Sequence, residues 1–335
     1  MKPRPRKKFA FISLAYNHES HVIAHLESIR YQIVNHGTGV DVSLVVTDDC
    51  SRDRTREWIS EWVGRYENLF HSVRLVYTSE NVGTCEVLRR AMECLDVDGF
   101  KITGADDIYG PGSIFDHAFL VGPTALITAT PIAVYGDRLV VRRKELLQVL
   151  FTNAIYFRAK FINRVRFLSA HNAPNLIYSA ELFRSGATRE LLSKFKFTED
   201  WCLMFALARQ IPDGKVLSIR DTFVYHRHSL SHVYLTRNEI FREDKIRMFD
   251  MLLASSERIV DKWRVRSRKT AFLAGGGGLR YLLMPEFYFF VVGALFAMPR
   301  VLKNLFLLNI NIERHERHLV FINTQARAHK RLDKA

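Results

Sequence analysis

Within its first 107 residues the chain three times runs from a short apolar segment, through a polar turn, into a helix-periodic segment, and then closes on a fourth apolar run. The apolar runs are Phe9–Ala15, Val40–Thr47, Val73–Tyr77 and Gly99–Thr103, and the second and third are rich in β-branched residues, which suit strands. Between them, residues 18–33 place Val22, Ile23, Leu26, Ile29 and Ile33 at helical spacing, and residues 54–66 do the same with Trp58, Ile59, Trp62, Val63 and Tyr66. Residues 84–95 form a third such segment. His18, Glu19, His21 and Glu27 mostly fall off the first apolar stripe, as on a solvated face. Strand, loop and helix in this order mean βαβ units and a mainly parallel sheet, an α/β fold. Such sheets bind ligands beyond the carboxyl ends of their strands. That edge receives Tyr16-Asn17, Asp48-Asp49 and Asp106-Asp107.

Three acidic or polar turns at one crevice set a chemical problem, because unpaired carboxylates repel. A divalent cation resolves it, and hard oxygen donors suit Mg²⁺ or Mn²⁺. Such ions are held by one or two carboxylates together with substrate phosphates, so Asp106-Asp107 points to a nucleotide diphosphate. A P-loop is absent, and no GxGxxG follows the first strand, which removes the usual support for ATPase and dinucleotide readings. The formal net charge of +14 favours an anionic partner: nucleic acid, an anionic membrane surface or a phosphorylated substrate. The four cysteines, Cys50, Cys85, Cys94 and Cys202, form no C-x-x-C pair, which argues against a structural zinc site. With no secretion signal recognised, the expected compartment is a reducing cytosol.

The rest of the chain divides by character. Residues 1–8 form a basic tail. Residues 138–166 are basic and aromatic, read as a pair of solvated helices. Glu199-Asp200 stands at the start of an apolar helix, and YHRHSLSH follows at 225–232. Residues 241–335 read as a helical, basic and apolar extension, with a glycine hinge at Gly275–Gly278. In Tyr281–Met298 the Pro285-Glu286 pair interrupts the apolar run, leaving Phe287–Met298. That length predicts a buried helix or re-entrant hairpin, with residues 301–310 as a separate amphipathic segment. The extension is expected to associate with a membrane without necessarily crossing it, the basic runs at 262–269 and 327–334 facing an anionic leaflet.

The succession FISLAYNHES, VVTDDCSRD, NVG, GADDIYGP and TEDW resembles family-two glycosyltransferases of the GT-A fold, over residues 9–232. The resemblance implies a Rossmann-like mixed sheet flanked by helices, with a GT-A domain over residues 9–240. It implies that Ala15, Tyr16 and Asn17 frame the nucleotide base. Asp49 would hydrogen-bond the base with Asp48 beside it, and Asn81 and Gly83 would close over the nucleoside. Asp106 would lie near the ribose and Asp107 would bind the metal, Mn²⁺ or Mg²⁺, bridging to the diphosphate. Asp200 would be the catalytic base of an inverting transfer, with Glu199 on the acceptor side. His228 would face the diphosphate or metal. Gly104 stands where the family often has the first aspartate of D-x-D, and the processive Q-x-x-R-W signature is absent, which points to single-sugar addition.

The implied activity is transfer of one sugar from a nucleotide-diphosphate sugar, UDP being the commonest donor nucleotide of the family, to a glycan or lipid-linked glycan. Cell-surface polysaccharide or glycoconjugate synthesis is the implied setting, at the cytoplasmic face of a membrane, with no nucleic acid as partner. Three other readings stand beside it. The net charge and the 138–166 stretch suit a nucleic-acid-binding protein. A catalytically inactive scaffold and a nucleotidyltransferase on a related sheet are the others. Singly, the residues also have ordinary roles. Asp48, Asp49 and Asp53 are turn and cap residues by type, and Glu199-Asp200 suits any helix N-terminus. What the ordinary roles leave unexplained is their convergence on one crevice.

Overall fold

The computed structural model describes residues 5–120, 124–167, 173–227, 238–275, 282, 284–308 and 310–332. Its centre is β1 (Lys7–Ala15), whose side chains alternate between two cores. Phe9 and Phe11 enter one, while Ala10, Ile12 and Leu14 enter the other. A strand buried on both faces reads as a continuous apolar run, which is why Phe9–Ala15 shows no polar alternation.

The first layer is built by α1 (Val22–His36) and α2 (Thr55–Tyr66), the second by α3 (Thr84–Ala91). The intervening strands β2 (Val40–Asp48), β3 (Ser72–Tyr77) and β4 (Gly99–Gly104) pair in the order β3-β2-β1-β4, all parallel. The expected units are therefore present, with helix ends shifted by a few residues. One sequence expectation fails. Glu27, assigned to a solvated face, is buried and accepts a hydrogen bond from Trp62 Nε1 at 2.8 Å while pairing with Arg30. A carboxylate with those partners can enter a core that an unpaired one could not.

After β4 the chain crosses Asp106-Asp107 into β5 (Ile108–Tyr109) and the short helix α4 (Phe115–Ala118). Strands β6 (Thr124–Thr128), β7 (Ile132–Tyr135) and β8 (Arg138–Val140) follow. Helices α5 (Arg143–Ile155) and α6 (Phe161–Arg166) occupy the basic stretch. They are less solvated than their composition predicts: Arg164 is buried, bonded to Asn153. Then come β9 (Leu176–Tyr178), α7 (Glu181–Arg184), α8 (Gly186–Leu192), α9 (Glu199–Gln210), β10 (Lys215–Ser218) and β11 (Val224–Arg227). Two further sheets have the orders β10-β6-β9 and β5-β11-β7-β8. The antiparallel β5–β11 pair carries the segment after Asp107 alongside the segment before His228.

The C-terminal third is helical: α10 (Asn238–Ala254), α11 (Ile259–Ala274), α12 (Pro285–Phe306) and α13 (Ile312–Leu332). Here the structure corrects the sequence reading. Pro285 and Glu286 do not interrupt an apolar helix but start one, since proline is tolerated at the first helical position. The result is one 22-residue helix that also absorbs most of the separate segment expected at 301–310. Nor is it buried. Its Gly293, Ala297 and Val301 face α5, while Tyr288, Val292, Leu295, Phe296, Leu302 and Phe306 are exposed. Residues 276–278 of the expected glycine hinge lie outside the described residues; Gly275 ends α11 at φ +66°.

α13 returns to the first core. Leu319 and Ile322 pack with Phe9 and Trp62, His318 Nε2 donates to the Tyr109 carbonyl at 2.9 Å, and His315 Nδ1 lies 2.8 Å from the Tyr225 hydroxyl. The last helix thus braces β5 and β11, the two strands behind the acidic crevice.

Candidate active site

The site begins where β1 and β2 end. Asn17 takes a left-handed conformation, φ 55°, which asparagine tolerates better than most residues. Its Oδ1 accepts the Arg52 N–H at 2.9 Å and its own N–H donates to Ser51 Oγ at 2.8 Å, so the two loops are tied together. Ala15 joins them through its carbonyl, which accepts the Asp49 N–H at 3.0 Å, and Tyr16 follows, half-buried, at the rim. Asp48 is fully buried, accepts the Ser51 N–H at 3.0 Å and pairs with Arg56. Its role in the fold is to hold this turn. Asp53 accepts from Glu19 N–H and Thr55 N–H, the cap role open to it by type.

Asp49 organises the next loop. Its two carboxylate oxygens accept the N–H groups of Val82 and Gly83, each at 2.8 Å, and Asn81 Nδ2 donates to its carbonyl at 3.1 Å. Asp49, Asn81 and Gly83, far apart in sequence, therefore form one unit. Gly83 is required there. Its φ is +96°, and a Cβ would stand 2.4 Å from Lys196 Cγ and 2.6 Å from the Lys196 carbonyl. The Asp49 carboxylate, for which the resemblance implies a bond to the base, is buried and bonded to two amides of this loop.

β4 delivers the second acidic pair. Asp106 is partly exposed, its carboxylate 4.0 Å from His18 Nε2. Asp107 is buried; its Oδ1 accepts the Arg227 N–H at 2.7 Å and lies 3.2 Å from His226 Nδ1. Beneath it, His25 is fully buried between Ser13 Oγ at 2.7 Å and the Asp107 carbonyl at 2.8 Å. The carbonyl can only accept, so His25 Nδ1 carries the proton and Nε2 accepts from Ser13. Burial lowers the His25 pKa to about 4, keeping the ring neutral.

The third carboxylate pair opens α9. Glu199 accepts from Thr84 Oγ1 at 2.6 Å, beside Gly83, while Asp200 accepts from the Tyr178 hydroxyl at 3.2 Å. The neighbours diverge around the first turn as adjacent helical positions must. Burial raises both pKa values, and the Asp200 charge raises that of Glu199 further. Asp200 is partly relieved by the Tyr178 hydrogen bond and by the charges of Lys101 and His226. Lys101 is almost fully buried, its pKa drawn down by desolvation to about 8 and pulled back up by Asp200 and Asp107. His226 is thus bonded to Asp107, and the charges of Lys101 and His226 both favour the ionised form of Asp200.

A family model described as glycosyl transferase family 2 matches residues 11–192. The chain belongs to glycosyl transferase family 2. Among solved structures, S. aureus TarS 1-349 in complex with UDP-GlcNAc has a TM-score of 0.53 at 16% identity, over 79% of this chain and 72% of that one. The mannosyltransferase PcManGT from Pyrobaculum calidifontis, in complex with GDP-Man and Mn²⁺, has a TM-score of 0.52 at 16% identity, over 97% and 88%. These likenesses show the GT-A glycosyltransferase fold. No curated protein sequence matches the chain.

In this family 2 protein the residues at Asp107 suit a hard divalent cation. One carboxylate oxygen is fixed by the Arg227 amide and the His226 ring, which orients the second. Among the described residues no group of three or more His, Cys, Asp or Glu side chains could hold a metal ion. His228, the expected second contact, lies outside the described residues; His226, in the same motif, is the histidine bonded to Asp107.

Sequence reasoning missed Lys101, His25, His226 and Tyr178. Two had a visible signal. Lys101 interrupts an otherwise strand-like GFKITG, and His25 sits within the apolar stripe of α1. A polar residue in a buried pattern needs a partner, and here the partners are the site.

Proposed function

We propose that this glycosyltransferase moves a single sugar from a nucleoside-diphosphate sugar to an acceptor hydroxyl with inversion, assisted by Mn²⁺ or Mg²⁺. The observation that carries the reading is that Asp107 is held by His226 and the Arg227 amide, while Asp200, bonded to Tyr178, follows Glu199, which Thr84 ties to the Asp49–Gly83 loop. A diphosphate-binding carboxylate and a partly desolvated base then address one volume.

Each residue has a task. The Asn17 and Asn81 loops border the nucleoside, and Asp106 lies near the ribose. His25 and His226 hold Asp107 by its carbonyl and carboxylate. Asp107, with His226 beside it, would hold the cation, which when bound supplies Lewis-acid stabilisation of the leaving diphosphate. Asp200 takes the proton from the acceptor hydroxyl. The acceptor oxygen bonds to the anomeric carbon as the bond from that carbon to the phosphate oxygen breaks. The diphosphate leaves with the electron pair, so inversion needs no covalent enzyme intermediate. Glu199, bound to Thr84, lies on the acceptor side and orders the helix start.

The setting proposed is the cytoplasmic face of a membrane, serving a glycan or lipid-linked glycan acceptor in polysaccharide or glycoconjugate synthesis. Support comes from α12, which is long and apolar enough to cross a bilayer by length and composition, with 11% of its apolar window buried. One face is docked on α5, so the exposed face suits lying in an interface. Trp263 and Ile259 of α11 are exposed with Arg258, Lys262 and Arg266, cations complementary to anionic lipid.

The test is a thermal-stability screen of UDP- and GDP-sugars with Mn²⁺, UDP-sugars first, followed by product analysis. A bound donor raises the melting temperature by mass action. Stabilisation by one nucleotide sugar, and release of its nucleoside diphosphate with acceptor, is the expected result. No response to any nucleotide sugar would contradict the reading.

A further inference from the structure

Asp200 also borders a cavity of about 380 Å³, formed where the start of α9 meets α10, α11 and the residue preceding α12. Its wall is mainly aromatic, with Phe197, Trp201, Phe241, Phe249 and Phe272, and Met284 adds an apolar thioether. Trp201 meets Phe249 edge-on at 5.4 Å, and Phe272 lies 5.8 Å from Phe249. Two cations join the lining. Lys245 Nζ stands 4.3 Å from the centroid of Phe241, and the Arg268 guanidinium 5.5 Å from that of Phe249.

Arg268 donates to the Arg166 carbonyl, and among the described residues it makes no ion pair. Glu286, whose charge reaches it, is itself paired with Arg264 at 2.7 Å. A partly buried guanidinium whose hydrogen-bond partner among the described residues is a carbonyl favours an anion. Among the described residues of the lining, Thr198 is the one neutral hydroxyl, where a bare sugar needs several partners for its own hydroxyls. Aromatic walls with a cationic end instead match an apolar body bearing a phosphate. Met284, in the wall, immediately precedes the exposed apolar helix, so an apolar chain leaving here would run toward that face.

We propose that this cavity binds the phosphate and first apolar units of a lipid-phosphate-linked acceptor, presenting the acceptor hydroxyl to Asp200. The assignment deepens the glycosyltransferase reading and rests on it for the role of Asp200, but the binding itself can be tested without donor.

The probe is farnesyl phosphate, titrated into the full-length protein with tryptophan fluorescence as readout. A saturable change is expected, absent in Trp201→Phe. Farnesol and inorganic phosphate should each bind at least about tenfold more weakly, because each supplies half of the ligand. Arg268→Gln and Lys245→Gln should each weaken farnesyl phosphate about tenfold while leaving stabilisation by nucleotide and Mn²⁺ intact, which also shows that they fold. Phe296→Asp, on the exposed face of α12, should leave the titration unchanged. The proposal is overturned if wild type gives no saturable response, if both charge variants bind as wild type does, if farnesol binds equally well, or if Phe296→Asp abolishes the response. Farnesyl phosphate binding in a protein that no nucleotide sugar stabilises would sink the glycosyltransferase reading and leave this cavity's assignment standing; the reverse pattern would do the opposite.

Discussion

His226 Nδ1 lies 3.2 Å from Asp107 Oδ1, joining two residues 119 positions apart. The pairing of β5 with β11 makes the contact possible, and the Arg227 amide on the same oxygen makes it directional. A carboxylate held this way presents its second oxygen in one orientation without relying on solvent.

Asp107→Ala removes that presented oxygen. Transfer in the presence of Mn²⁺ should fall by ~10²–10³ or more, the usual loss when a developing anion loses its stabiliser. Stabilisation by nucleoside diphosphate should lose its dependence on Mn²⁺. Undiminished Mn²⁺-dependent turnover of the purified variant would contradict the role.

Glu199 gives a stability prediction with a definite sign. Burial, then repulsion from Asp200, raises its folded pKa above the ordinary 4.5. The folded state therefore binds the proton more tightly than the unfolded one, so stability falls as pH rises from the unfolded pKa through the folded one. Glutamine mimics the protonated form and keeps an acceptor for Thr84. Glu199→Gln should match wild type near pH 4 and exceed it by about 1–3 kcal/mol near pH 8, in denaturant melts at both values. A variant less stable than wild type at pH 8 would reverse the sign.

Gly83→Ala places a methyl group against Lys196 in a positive-φ conformation. A loss of about 1–3 kcal/mol is expected, together with weakened donor binding, because the Asp49 clamp on the loop must open. Calorimetry of donor binding to a variant that still folds checks this; unchanged affinity would separate the loop from the nucleotide site.

How legible this was in the sequence depended on pattern length. Phe9–Thr103 carries four strands and three helices with periods long enough to read, and their order fixed the parallel sheet. Glu27 and Arg164 are not legible as buried residues because burial of a charge depends on partners, Trp62 and Asn153, that only the tertiary fold supplies. Helix α12 departs from its expected form because Pro285, a helix breaker by type, stands at the first helical position, and no local signal says whether an apolar helix faces core or outside. The acidic motifs are visible in the sequence, but only the sheet brings His25 beneath Asp107 and the Lys101 charge within reach of Asp107 and Asp200.

The exposed face of α12 leads to another expectation. Phe296→Asp with Phe306→Asp should release the protein from anionic liposomes at low salt without lowering its melting temperature, since both rings are largely solvent-exposed. Each lost ring removes burial in the interface and adds a like charge to the leaflet. Wild-type protein that remains free of the liposomes, or self-associates through this face in sedimentation, would contradict the membrane assignment.

The central claim is that Asp200 deprotonates the acceptor while Glu199 does not. Asp200→Asn keeps shape and its Tyr178 partner but cannot take a proton. At saturating donor and acceptor its kcat should fall by ~10²–10⁴ with donor affinity unchanged, whereas Glu199→Gln should fall less. The deciding measurement is the transfer rate of these two variants side by side: a dead Asp200→Asn beside a working Glu199→Gln is the expected result, and a working Asp200→Asn would contradict it.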